Sequence, residues 1–265
     1  MSNNSNNTTP NLPVGDFGQA LRGEIKLTIG QLLQRSWDIT LRSLPWMLGV
    51  FIGIVALNIV VSDVLALVFP FDEQVLAEQT EIDWEQVNVG NFIAGSLLQE
   101  LILAPFAAML VYIGMLNAAD RKPSLRILRG VLKFAPQLVL VAFIKLVLTA
   151  VVAGVFAAIG LLLGGAIAVV LVMLAVIYLQ LVMMFAVPLI IDRELNAPRA
   201  LLASFLVINK AMFPVLGFMA LVVIICAISA IPLFLGLIFT LPMAFNAIGV
   251  VYHALIGLAD TEIVE

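Results

Sequence analysis

The chain has 265 residues, 63% of them hydrophobic and 11% charged, with a formal net charge of −4. An ordinary soluble domain carries about 25% charged residues, so a water-soluble fold of this size is excluded and lipid must be part of the solvent. The small net charge says little in such a chain, because the distribution of charge along it sets orientation.

Residues 1–24 open the chain with Asn, Ser, Thr, Gly and Pro and without the basic patch and short apolar core of a secretory signal. This composition predicts a disordered cytoplasmic tail. From residue 25 to 260 the pattern predicts a single all-α domain, a polytopic membrane helical bundle, and residues 261–265 form a short cytoplasmic tail. A first polar helix carries Ile25, Ile29, Leu32, Leu33, Trp37, Leu41 and Leu44 on one face, with Gln31, Gln34, Arg35, Asp38 and Arg42 on the other. This is the pattern of an interfacial helix with an aromatic anchor.

Six apolar stretches follow, at about 45–69, 92–117, 137–159, 163–190, 213–232 and 234–258, each long enough for a hydrocarbon core of about 30 Å. The segment 146–191 holds no charged residue and has room for two spans with a turn at Gly160, Gly164 and Gly165. A second polar helix between spans two and three sets Leu125, Leu128, Val131, Leu132 and Ala135 opposite Arg126, Arg129 and Lys133, with Ser124 placed to cap it. A third, weaker one runs from Ala197 to Lys210.

The charges predict the topology. Arg22, Lys26, Arg35 and Arg42 precede the first span; Arg121, Lys122, Arg126, Arg129 and Lys133 lie between the second and third; Arg193, Arg199 and Lys210 lie between the fourth and fifth. The loop at 70–91 carries six acidic residues, Asp72, Glu73, Glu78, Glu81, Asp83 and Glu85, and no Lys or Arg. The positive-inside rule therefore puts all three basic groups and both termini in the cytoplasm. The chain also reads as three pseudo-repeats of an amphipathic helix plus a helical hairpin. Pro45, Pro136 and Pro214 stand where each unit enters the membrane, Pro105, Pro188 and Pro242 lie in the returning spans, and Asp120, Asp192 and Asp260 end them.

The run Phe185-Ala186-Val187-Pro188-Leu189-Ile190-Ile191-Asp192-Arg193-Glu194, followed by Ala200-Leu201-Leu202-Ala203-Ser204-Phe205, Asn209 and Pro214, resembles a pattern of the YciC-like family, uncharacterised six-span bacterial inner-membrane proteins. It is also similar to the membrane domain of some glycerophosphodiester phosphodiesterases. The resemblance implies the six-span fold and the bacterial inner membrane; it carries over no catalytic residue, and no appended phosphodiesterase domain stands beside it.

Few residues could carry chemistry. Arg35, Arg42, Arg126, Arg129 and Lys133 are the candidate lipid-headgroup contacts, since a basic residue near an anionic surface contributes about 1 kcal/mol. The candidate intramembrane polar residues are Asp63, Glu100, Lys145 and His253, because an ionisable group within a span is costly and needs a partner or water. Glu100 and Lys145 approach mid-membrane from opposite faces, and two readings stand: a pair on a solute path, joined by His253 and Asp63, or separate groups that snorkel and cap. The glycine pairs 49/53 and 160/164 have G-x-x-x-G spacing, which permits close helix packing. Cys226 is the only cysteine and His253 the only histidine, so the sequence predicts no disulfide within the chain, no metal site and no cofactor. No phosphate loop, dinucleotide fingerprint, nucleophile elbow or zinc helix occurs, and topology explains the basic residues without nucleic acid. The expected partners are membrane lipids and other membrane proteins, with non-enzymatic action and, as the alternative, a small-solute transporter or channel past Glu100 and Lys145.

Overall fold

A computed structural model of the chain describes residues 14–70, 88–232 and 234–259. The acidic loop residues from Asp72 to Glu85, the first 13 residues, Asp260 and the tail 261–265 lie outside the described residues. Among the described residues every regular element is helical: α1 (Phe17–Arg22), α2 (Ile29–Val68), α3 (Val89–Ala118), α4 (Leu125–Val131), a 3-10 turn (Leu132–Phe134), α5 (Ala135–Leu163), α6 (Gly165–Val182), α7 (Ala186–Arg193), α8 (Ala197–Lys210), α9 (Met212–Ala230) and α10 (Leu237–Leu255). Among the described residues six segments are long and apolar enough to cross a membrane. The chain is an all-α, multi-pass membrane bundle.

Local chemistry sets the ends of these helices. Asp16, Asn88, Ser124 and Asn196 each accept a backbone N–H of the first turn they precede, which satisfies one of the four donors a helix start leaves open. Gly164 closes the α5–α6 hairpin alone, at φ 118°, a conformation open to glycine. Gly160 stays inside α5, and a Cβ there would lie 2.1 Å from Ala168 Cα.

The first polar helix is not a separate element. It is the opening half of α2, which runs 40 residues through Pro45 without a break, a length of about 60 Å. Pro45 removes the hydrogen bond to the carbonyl of Leu41, but Leu41 is half exposed, and water or headgroups can serve a carbonyl at that level. Pro136 and Pro214 lie in the first turns of α5 and α9, where a missing N–H costs little.

The fourth span does break. Between α6 and α7, Ser204 of α8 donates to the carbonyl of Val182 (2.7 Å) and accepts the N–H of Phe185 (3.0 Å). Irregular backbone inside a membrane protein is tolerated where protein groups re-satisfy it. One hydroxyl therefore holds both sides of the break that precedes Pro188.

Burial is uneven. Of the most apolar 18 residues in each span, 61% are buried in α3 and 56% in α10, against 6% in α2 and 6% in the span Leu125–Leu163. The two buried helices are also the two least hydropathic, as expected when protein rather than lipid surrounds them. α10 packs against both α2 and α3. A Cβ on Gly249 would lie 2.2 Å from Gly114 carbonyl carbon, so the α3 and α10 backbones touch.

Candidate functional site

α2 joins the core by a mixed face of hydroxyl and apolar residues with Arg35, while Gln31, Gln34 and Arg42 stay exposed. Leu32, Ser36, Ile39, Thr40, Ser43 and Met47 are buried, while Ile29, Trp37 and Leu41 of the apolar stripe are exposed. Lipid offers no drive to hide an apolar stripe, whereas hydroxyls and amides gain by finding one another. Ser36, Thr40 and Ser43 donate to the carbonyls four residues back, at 2.6 to 2.8 Å. The hydroxyl oxygens of Thr40 (2.8 Å) and Ser43 (3.3 Å) then accept from Nδ2 of the fully buried Asn246. Asn117 Nδ2 donates to Asn246 Oδ1 at 2.9 Å, and α2, α3 and α10 are locked by one amide.

A second cluster closes the same end. Asp192 is buried and accepts from Tyr252 OH (2.6 Å) and the Ala259 backbone N–H (2.8 Å), with Arg193 Nε 3.0 Å away. Arg193 Nη2 donates to the carbonyls of Ile256 (3.3 Å) and Gly257 (3.0 Å), and Tyr252 stands edge-on to Phe185 at 5.4 Å. With both carboxylate oxygens engaged, this is a clasp on the end of α10 and not a reactive acid.

The candidate residues separate into distinct places. Arg35 is buried and bonds Asp120 (2.5 Å) and the carbonyl of Ala118 (3.2 Å). Arg42 is exposed and reaches Asp120 at 3.3 Å. Arg126, Arg129 and Lys133 are exposed while Leu128 and Val131 face inward, and none of the three has a hydrogen-bond or ion-pair partner among the described residues. Lys122 shares that condition.

Glu100 and Lys145 line one cleft of about 290 Å³ with Thr149 and Gln180, without a hydrogen bond or ion pair between them. Asp63 is an exposed residue of α2 outside that lining. His253 sits at the other end, its Nδ1 accepting the Leu258 N–H at 3.4 Å and its carbonyl the Gly15 N–H at 3.0 Å. The structure therefore brings Glu100 and Lys145 together and leaves Asp63 and His253 apart from them. Among the described residues no three His, Cys, Asp or Glu side chains are grouped to hold a metal.

Two cavities flank Trp46. Below it an apolar slot of about 730 Å³ runs along Gly49, Gly53 and Leu57 of α2, walled by Met109 of α3 and roofed by α4 with Arg129 at its edge. On its other side a polar cleft of about 420 Å³ is lined by Arg42, Asn117, Asp120, Arg121 and Lys122. A Cβ on Gly49 or Gly53 would meet nothing within 4 Å, so this glycine pair faces open space and not a packed helix. Asn117, Asn246, Tyr252 and Lys122 are functional or structural positions that a search for intramembrane charges passes over; the signal that could have found the two asparagines is an amide inside an apolar run. No family model, no curated protein and no solved structure matches this chain.

Proposed function

We propose that the chain is a bacterial inner-membrane protein with both termini in the cytoplasm, of the YciC-like type, that acts through membrane lipid and partner membrane proteins and not by catalysis. The observation that carries this reading is the exposed row Lys122, Arg126, Arg129 and Lys133, unpartnered among the described residues at the end where α2, α3 and α10 are packed. Such a row attracts anionic headgroups, and three of its members sum to about 3 kcal/mol, on the order of a hundredfold in affinity.

Native mass spectrometry from nanodiscs of mixed phosphatidylglycerol and phosphatidylcholine tests it. The wild type is expected to retain phosphatidylglycerol selectively, and a variant with Arg126, Arg129 and Lys133 all changed to Ala to lose that selectivity. Equal selectivity in an inserted, folded variant would overturn the reading. A solute path is the second reading, and it is favoured by the shared cleft of Glu100, Lys145, Thr149 and Gln180.

A further inference from the structure

The slot beside Gly49 and Gly53 is open along a helix face that could have been closed at no backbone cost. Its length is informative: from Pro45 to Leu57 the lining spans twelve helical steps, about 18 Å. One leaflet of the hydrocarbon core is about 15 Å deep, half of roughly 30 Å. The slot is therefore one leaflet long.

Its chemistry changes at the right height. Trp46, half exposed, borders both the apolar slot and the polar cleft, and tryptophan settles at the level where headgroups meet hydrocarbon. Below that level the lining is apolar apart from Arg129 at the rim. Above it stand Arg42 and Lys122, and the carboxylate of that lining among the described residues, Asp120, already serves Arg35 and Arg42. Arg129 and Lys122 have no carboxylate partner among the described residues. A cavity with a hydrocarbon-length tail section and a cationic mouth is complementary to an amphiphile of negative charge.

We infer that the slot holds one anionic phospholipid as a resident ligand. An acyl chain lies along Gly49 and Gly53 under the α4 roof, and the phosphate sits at the mouth between Arg129 and Lys122. The inference rests on the lipid reading above but is more specific: that reading needs only a charged surface, whereas this one needs a single copy held by its tail. The residue types follow from the ligand. Glycine at 49 and 53 leaves the width of a chain, and the apolar roof residues Leu125 and Leu128 close over it.

The test is native mass spectrometry of the full chain in detergent after graded delipidation with added phosphatidylglycerol. Wild type is expected to keep one copy after the others are stripped. Gly49→Leu with Gly53→Leu fills the slot from positions where a Cβ meets nothing within 4 Å, and is expected to reduce that last copy by about tenfold or more while the nanodisc preference for phosphatidylglycerol is unchanged. A second variant, Arg129→Gln with Lys122→Gln, keeps the slot and is expected to trade phosphatidylglycerol for phosphatidylcholine in it. A last copy that survives the filled slot would overturn the inference and leave the lipid reading standing; loss of the nanodisc preference in wild type would sink both. A dimer in wild type that the filled variant dissociates would overturn it in favour of a second copy's helix as the occupant.

Discussion

On the basic side of Trp46, α2, α3, α8 and α10 bury Ile39, Ile113, Met115, Ile208, Val250 and Tyr252 almost completely, and amides, hydroxyls and a carboxylate sit among them with partners. On the far side, Ile52, Val60, Leu67, Val151, Leu162 and Val223 face outward, and the described residues buried there are scattered: Leu65, Gly160, Ala168, Val222, Thr240, Pro242 and Met243. One half is held by directional bonds among several helices; in the other, close backbone contact is found at the hairpin ends, at Gly160 and Gly236, and most of the helix surface faces lipid. The difference teaches that in this bundle cohesion comes from polar and small residues, and hydrophobicity serves mainly to keep the helices in the membrane.

Three substitutions probe that contrast. Gly249→Leu drives a side chain into the Gly114 backbone and is expected to cost about 3 kcal/mol, read as a lower unfolding midpoint in detergent titration; an unchanged midpoint would mean the α3–α10 contact does not hold the packed half. Asn246→Ala removes three hydrogen bonds at about 0.6 kcal/mol each, so a loss near 2 kcal/mol is expected by the same titration. Val151→Ala, on the lipid-facing side of α5, should stay within about 0.5 kcal/mol, and a larger loss would show that the far half carries cohesion of its own. In that same half Glu100→Gln separates the two functional readings: altered proton or potassium flux into proteoliposomes, followed with a trapped dye, supports a path at the Glu100–Lys145 cleft, and unchanged flux removes it.

The fold class was legible because apolar runs of span length have few other uses, and the ends of α3, α5 and α9 fall within a few residues of the spans expected. The first polar helix and the first span, set apart in the sequence, are one helix through Pro45, where a helix crossing into water can carry a freed carbonyl. Amphipathicity placed the faces of α2 only in part: Leu32 is buried and Gln31, Gln34 and Arg42 are exposed, but Trp37 and Leu41 face outward, because the rule that an apolar stripe turns inward assumes water outside. For the same reason Arg35, grouped with Arg42 by sequence spacing, lies inside against Asp120, while Arg126, Arg129 and Lys133 are exposed as their spacing suggests. The slot could not be read at all: G-x-x-x-G describes a narrow face and is silent on whether a helix or a lipid occupies it.

The amide of Asn246 has a temporal consequence. α10 is the last helix described, yet it supplies the partner for Asn117, Thr40 and Ser43, which belong to the first two spans. During synthesis Thr40, Ser43 and Asn117 are made well before Asn246, which lies 129 positions after Asn117, so the bonds they share form only once α10 has been made. The polar lock among α2, α3 and α10 is thus completed by a single event, the docking of α10.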